Sequence, residues 1–345
     1  MEDQIYSFLL KLDWKLIAEI SKVDRFDASW TAIEKREGQT LKQLRSIATV
    51  RSVGASTRIE GSKMTDQQVE ALISKLDISK LEERDSQEVA GYFEALDTII
   101  EHYKDIEISE SSVKNLHNIL CKYSQKDEWH RGDYKKLSNA VEATLPSGDK
   151  QIIFQTSAPG LDTEDAMRRL IAWYLGDQET HPVIKASLFV YDFLSIHPFQ
   201  DGNGRLSRLL GTLLLLKKGY TWIQYVSFEH EIENRKSEYY RQLMQCQSRR
   251  PGEDVYPWVN FFLDCLLTIS GLLIEKLNVK GNIGQLSYKE KSVYTYVENN
   301  PGSRSGEIAI KVGIPLPTVK RILNTLVASK LIVKQGIGPG TNYSL

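Results

Sequence analysis

Twelve consecutive residues carry most of the reactive chemistry in this sequence: His197-Pro198-Phe199-Gln200-Asp201-Gly202-Asn203-Gly204-Arg205-Leu206-Ser207-Arg208. A residue ahead of proline avoids the helical region. A helix arriving here should end at about Ile196 and leave His197 at a helix-to-loop junction. Gly202 and Gly204 flank an asparagine just before the apolar helix Leu206 to Leu216. Glycines there let the backbone approach a ligand closely, and the free N–H groups of a helix start attract an anion. Arg205 and Arg208, three residues apart, share one face. Cations near a helix N-terminus are disfavoured by ~0.3–1 kcal/mol. Two of them make sense if polyanionic phosphate lies between them and the dipole. Asp201 would repel that phosphate unless a cation bridges the two, and Mg²⁺ is the usual bridge. His197 is the group that titrates near neutral pH, placed to take a proton from an incoming hydroxyl. Singly, each feature has an ordinary explanation: a packed histidine, a glycine turn, solvated arginines. Base, acid, double glycine and paired arginines within one short run are far more specific.

The elements that must position this run read mostly as helices. Apolar residues recur at helical spacing over Tyr6 to Ser21, Leu41 to Val53 and Ser86 to Tyr103, and the second of these helices reads on to Glu60. Thr65 with Gln68 forms a capping-box pattern ahead of a helix to Leu76, and Ser109 opens another with an apolar face through Val113, Leu116 and Leu120. Leu137 to Gln155 breaks the pattern. A Pro-Ser-Gly-Asp turn at 146–149 precedes the β-rich run Ile152, Ile153, Phe154, which predicts a short hairpin. Helices resume over Thr163 to Leu175, Val183 to Ile196, after Gly202, over Glu233 to Gln247 and over Tyr256 to Leu277. Residues 278–285 hold two glycines and two asparagines with no apolar period, and read as a linker.

Composition bounds the rest. The 345 residues are 41% hydrophobic and 26% charged, an ordinary globular balance that suggests two or three domains. Lys+Arg 44 against Asp+Glu 45 excludes a basic nucleic-acid coat over the whole chain. Cys121, Cys246 and Cys265 show no zinc or disulfide spacing, which points to a reducing, cytoplasmic setting. Acids stand in the N-terminal segment where a signal peptide needs bases. The greasy stretch Val259 to Leu277, broken by Asp264, reads as a buried helix rather than a membrane span.

The run from His197 to Arg208 is similar to the Fic family signature, H-x-F-x-D/E-G-N-G-R-x-x-R, and matches it at every defined position. The resemblance extends over roughly residues 110–275. It implies a mainly α fold: an all-helical core over 110–277 with a small β-hairpin flap, after a helical N-terminal domain over 1–109. It also implies transfer of AMP from ATP to a Ser, Thr or Tyr hydroxyl of a target protein, or of the chain itself. By resemblance His197 is the general base and Asp201 the ligand of Mg²⁺ or Mn²⁺. Gly202, Asn203 and Gly204 make the anion hole, and Arg205 and Arg208 bind phosphate, Arg208 nearest the γ-phosphate. Phe199 is expected in the core. Tyr239 and Tyr240 resemble the family's adenine-side tyrosines, with simple packing as the alternative. The hairpin resembles the flap that lines up a target peptide by strand addition, with Ile152, Ile153, Phe154 and Gln155 as the docking strand. The alternative is an ordinary hairpin covering the core. Ser157-Ala158-Pro159 departs from the two prolines many members carry after the flap.

Glu60 would lie in the last turn of its helix, where the dipole disfavours an anion. That cost vanishes if the carboxylate meets an arginine. Ser56-Thr57-Arg58-Ile59-Glu60-Gly61 resembles the family's inhibitory motif, S/T-x-x-x-E-G/N. The resemblance implies that Glu60 pairs with Arg208 and blocks the γ-phosphate. Residues 286–345 resemble a winged helix-turn-helix and carry eight Lys/Arg against three acids. Thr318, Lys320, Arg321 and Asn324 would lie on its second helix, offered to DNA or to a protein partner. The expected function is thus a self-inhibited AMP-transferase. The alternatives are a DNA-binding regulator whose core senses nucleotide, or a relative that transfers another phosphate-containing group or removes AMP. A homodimer stays open.

Overall fold

Among the described residues the first helix begins at Trp14, and Tyr6, where the sequence pattern starts, lies outside them. The computed structural model describes residues 8–75, 81–144, 150–329, 331–336 and 338–344. Helix α1 (Trp14–Arg36) starts where the Asp13 side chain accepts the Leu16 N–H at 2.8 Å. The apolar period from Tyr6 overshoots because Asp13 caps, and because Leu9 pairs in a β-type bridge with Asp254 instead. Helix α2 (Gly38–Ile59) ends on Glu60, with Gly61 at φ +106° just beyond. Helix α3 (Asp66–Ser74) has the reciprocal cap: Thr65 Oγ1 accepts from the Gln68 N–H and Gln68 Oε1 from the Thr65 N–H. Helices α4 (Arg84–His102) and α5 (Glu110–Leu120) follow, α5 opened by the Ser109 side chain.

Strand β1 (Ala140–Thr144) pairs antiparallel with β2 (Lys150–Gln155). Ala140 faces Gln155 and Thr144 faces Lys150, with an irregularity at Val141/Glu142. The turn at 146–149 lies outside the described residues, as do the side chains of Ile152, Ile153 and Gln155. Helices α6 (Leu161–Gly176), α7 (Pro182–Ile196) and α8 (Asn203–Lys217) follow. Helix α7 is apolar nearly all round and every residue from Val183 to Ile196 is buried, as a central helix requires. It packs against α6 and α8, while α4 covers α8 and α2 lies on α4.

The helix expected over Glu233 to Gln247 is two, α9 (Phe228–Asn234) and α10 (Lys236–Gln247). They break at Arg235, which reaches Glu231, Glu238 and Asp264 and lies over the Phe261 ring. No local pattern announces those tertiary partners. Helix α11 (Tyr256–Gln285) runs through the stretch read as a linker. Each glycine costs about 1 kcal/mol in a helix, but a helix already nucleated extends past such weak residues. Tyr256–Leu277 is long and apolar enough to cross a membrane by composition. Trp258, Val259, Phe262, Leu263 and Leu266 are buried in the protein interior.

Contacts divide the chain into two units, Met1–Ser270 and Gly271–Leu345, with the boundary inside α11. Residues before and after 109 therefore belong to one unit, because α2 packs on α9 and α4 on α8. The second unit holds α12 (Tyr288–Asn299), α13 (Ser305–Val312), α14 (Leu316–Ala328) and the antiparallel pair β3 (Val333–Gln335) and β4 (Asn342–Ser344). Its core is Val293, Val297, Ile308, Val319, Leu323, Leu326 and their neighbours.

Candidate active site

Helix α7 stops at the residue before Pro198. His197 adopts the left-handed conformation (φ 53°), the only non-glycine among the described residues with positive φ. Such a conformation persists only where its surroundings over-determine it. The His197 N–H bonds Phe193 O at 2.9 Å. On its far side Pro198 O accepts the Lys135 N–H at 2.8 Å. Asn203 closes the loop from within: its Oδ1 accepts the Phe199 N–H (2.9 Å) and its Nδ2 donates to Phe199 O (2.7 Å). Its side chain thus braces the loop, and its backbone N–H is what it offers an anion.

His197 Nδ1 lies 3.3 Å from Leu194 O. A carbonyl only accepts, so Nδ1 carries the proton and Nε2 keeps its lone pair. Burial pulls the imidazole down to about 4, so it is a neutral base at physiological pH. Asp201 shows the opposite balance. Burial alone would raise its carboxyl, but Arg205, Lys126 and the Gly202 N–H outweigh it and hold it at about 2. Lys126 Nζ is 3.0 Å from its Oδ2, and the Gly202 N–H donates to its Oδ1 at 2.6 Å.

Gly202 caps α8 at φ +79°. Leu206 is the first residue of α8 with an intrahelical partner, its N–H bonding Gly202 O at 2.9 Å, so the N–H groups of Asn203, Gly204 and Arg205 have no helical acceptor. Arg205 and Arg208 follow, each only 2% exposed. Arg205 faces Glu88 (3.4 Å) and Asp201 (3.7 Å). Arg208 Nη2 binds Glu60 Oε1 at 2.8 Å and Ser56 O at 3.0 Å, and its Nε binds Ser56 Oγ at 2.8 Å. Burial would lower Arg208, but the Glu60 carboxylate holds it above its ordinary value. On these two arginines, Arg205 Nε and Arg208 Nη1 are buried without a hydrogen-bond partner. A Cβ on Gly204 would overlap the Glu60 carboxylate, so that carboxylate lies directly over the start of α8. His197, Asp201, Gly202, Asn203, Gly204, Arg205, Arg208, Tyr239, Tyr240 and Glu60 line one pocket. Tyr239 is buried against Trp258 and Phe261, and Tyr240 meets it edge-on at 5.1 Å from a half-buried position. Phe199 lies in the core, stacked on His117 at 3.8 Å. Strand β2, with Ile152 to Gln155, lies against α10.

Several supporting residues escaped the sequence reading. His117 accepts the Gly132 N–H at Nδ1 (2.9 Å) and donates from Nε2 to Asp201 O (3.0 Å). Its place on the apolar stripe of α5, four after Val113 and three before Leu120, was a usable signal. Arg58 is bidentate to Glu233 (2.6 and 3.0 Å) and also reaches Asp66 and Met64 O. Lys236 Nζ holds Ile59 O at 2.6 Å. These two fasten the end of α2 that carries Glu60. Glu88, Lys126 and Lys135 gave no local signal.

Comparisons with known proteins fall on the same stretch of the chain. The profile of the Fic/DOC family matches residues 107–215. The chain is 27% identical over 239 residues to "Protein adenylyltransferase Fic" of Drosophila melanogaster, covering 68% of this chain and 44% of that protein. It is likewise 27% identical over 229 residues to the protein of that name from Drosophila grimshawi, covering 65% and 43%. The chain thus spans less than half the length of these curated relatives. A Fic family protein from Desulfovibrio desulfuricans G20 superposes with a TM-score of 0.65 at 23% identity, covering 99% of this chain and 98% of that one. A Fic domain containing signaling protein from Bacteroides thetaiotaomicron VPI-5482 gives 0.58 at 23% identity, covering 75% and 96%. At that identity the structural likeness is one of fold. The left-handed histidine, the glycine-capped helix and the two buried arginines fall on the matched stretch, and residues 107–215 of this chain are a Fic/DOC family domain.

Proposed function

We propose that this chain is a protein adenylyltransferase, transferring AMP from ATP to a Ser, Thr or Tyr hydroxyl of a target protein and of itself, and that Glu60 restrains it. One observation carries the reading: a neutral histidine with a free Nε2 shares a pocket with an uncapped helix start and two buried arginines that still have unpartnered N–H groups. His197 Nε2 accepts the proton of the target hydroxyl. The hydroxyl oxygen forms a bond to the α-phosphorus as the bond to the pyrophosphate oxygen breaks. The N–H groups of Asn203, Gly204 and Arg205 and the arginine guanidinium groups meet the charge that gathers on the phosphate oxygens. Strand β2 offers a backbone edge on which an extended target segment can add. Tyr240, at the pocket wall, suits the face of a purine.

The residues fit a divalent metal. Among the described residues no group of three or more His, Cys, Asp or Glu stands ready for one. Asp201 is nevertheless held ionised, and one carboxylate plus phosphate oxygens is a usual setting for Mg²⁺. Asp201 would hold Mg²⁺ or Mn²⁺ with the nucleotide, and the ion would neutralise phosphate charge.

The Arg208–Glu60 pair supports self-inhibition, since it engages the guanidinium and covers Gly204, where phosphate would approach. The deciding experiment incubates the chain with ATP and Mg²⁺ and reads intact mass and radiolabel. A gain of one AMP, with label retained from α-labelled but not γ-labelled ATP, is expected. Phosphate transfer, or no transfer even when Glu60→Gly removes the restraint, would overturn the assignment. The second unit supports a DNA partner: Lys320, Arg321 and Asn324 lie exposed on α14. Binding to duplex DNA should then weaken as salt rises, and its absence at ~50 mM salt would favour a protein partner instead. Buried, unpaired Cys121, Cys246 and Cys265 support a cytoplasmic setting.

A further inference from the structure

We propose that Lys135 is a positioning residue that ties both feet of the β1–β2 hairpin to the two sides of His197, and so sets the base against the hydroxyl it must deprotonate. The inference rests on the transferase reading.

Lys135 is 1% exposed. Its ammonium donates to Asn139 Oδ1 (2.8 Å), Thr156 Oγ1 (2.8 Å) and Ile196 O (3.1 Å), which saturates all three of its N–H bonds. Asn139 directly precedes β1 and Thr156 directly follows β2. Ile196 directly precedes His197, and the Lys135 backbone N–H holds Pro198 O directly after it. One residue therefore grips the chain on both sides of the base and at both ends of the hairpin. Thr156 Oγ1 also lies 2.6 Å from Asn139 Oδ1, and Asn139 Nδ2 donates to Phe199 O at 2.9 Å. The cluster is continuous from hairpin to loop.

Every acceptor on this ammonium is neutral, and burial is the one influence on it, with no carboxylate among the described residues pairing with it. Burying a cation without a counter-charge is unfavourable, and an apolar side chain would fill the same space without that cost. Burial accordingly lowers the ammonium to about 8. The charge that remains acts on its neighbour: Lys135 works with burial to keep His197 unprotonated, against Glu60 from α2 and Asp201 from the loop. Arg205 and Arg208, on α8, line the same pocket. Lys135 thus does two things for one atom, His197 Nε2: it fixes its place and helps keep its lone pair free.

The test uses the full chain with Glu60→Gly as parent, and compares Lys135→Met, Lys135→Arg and Thr156→Val. Lys135→Met should cut the AMP-transfer rate at saturating ATP by about 10-fold or more, with ATP affinity unchanged. It should also move the acid limb of the rate–pH profile upward, towards the ordinary histidine value. Lys135→Arg, which keeps the charge, should recover most of both. Thr156→Val removes one foot of the hairpin and keeps the charge, so it should slow transfer without moving the limb. A parental rate in folded Lys135→Met overturns the proposal, and so does a loss of ATP affinity equal to the loss of rate. If Lys135→Met does not fold, Thr156→Val decides, and an unchanged rate there overturns it. NMR titration of the His197 imidazole in parent and Lys135→Met needs no activity. An unmoved titration sinks the electrostatic half even if the transferase reading fails, and an unlabelled parent sinks that reading alone.

Discussion

Arg208 and His197 line the same pocket and are held in opposite ways. Arg208 is gripped by a carboxylate and a hydroxyl from α2, 148 and 152 residues away in sequence, and Glu60 keeps 31% of its side chain exposed. His197 is gripped by backbone carbonyls, by Asn203 through Phe199 and by a buried ammonium with no carboxylate. An ion pair whose carboxylate stays partly exposed can be exchanged for another anion, because a ligand phosphate can take the carboxylate's place on the buried guanidinium. A buried neutral hydrogen bond has no substitute, and breaking it leaves a desolvated group unpaired. The arginine side of the pocket is therefore built to change hands, and the histidine side to stay fixed.

The comparison breaks most sharply at the fixed side. His197→Ala should lower AMP transfer by about 10²-fold or more, while calorimetric ATP affinity stays near that of the parent, since the base acts on the hydroxyl. Loss of ATP binding in the folded variant would mean that both sides of the pocket serve the nucleotide. The exchangeable side comes next. Glu60→Gly should raise self-labelling by about 10- to 100-fold, the worth of one charge-assisted hydrogen bond, and adding His197→Ala should erase the gain. Equal labelling of wild type and Glu60→Gly would remove the brake from the account. A smaller effect is expected two residues away, at Arg58. Arg58→Ala frees the end of α2 from Glu233 and should give about 3- to 10-fold activation, with no further gain on top of Glu60→Gly. An additive gain would place Arg58 on a separate route.

The gentlest test is pH. His117 and His197 are both held by burial at about 4, against an ordinary 6.5. Between those values the unfolded chain binds more protons than the folded one, so folding stability rises with pH across the window. It should be fully present above about 6.5 and drain away as pH falls to about 4. Asp201, held at about 2 against 3.8, extends the loss below that. Denaturant melts at pH 7, 5.5 and 4.5 read the slope, and His117→Gln should flatten it. A flat profile in wild type would mean that these imidazoles are not buried neutral in solution.

Legibility in the sequence followed range. The caps of α3 and α5 stood where Thr65 and Ser109 placed them, because capping joins residues three apart. The start of α1, the break at Arg235 and the helical stretch to Gln285 did not. Arg235 was decided by contacts and the glycines of α11 by a helix propagating from elsewhere, whereas the Asp13 cap on Leu16 is local and was a signal in the sequence that the apolar period masked. Within the pocket the order of base, acid, glycines and arginines was plain, and the helix end at Ile196 followed from Pro198.

What the sequence determined by itself was this short run and its backbone course, since proline sterics, glycine freedom and helix-end N–H groups act over a few residues. Only the tertiary structure decided the partners. Arg208 meets Glu60, a pairing that the resemblance implied but no local rule did, while Arg205 meets Glu88, and on charge alone either glutamate was available to either arginine. The Asn203 side chain braces Phe199, and Lys135 joins hairpin to loop. Those choices depend on how α2, α4 and the hairpin pack around α7 and α8. Long-range packing selects among charges that local chemistry leaves equivalent, because burial makes each buried group find the one partner within reach.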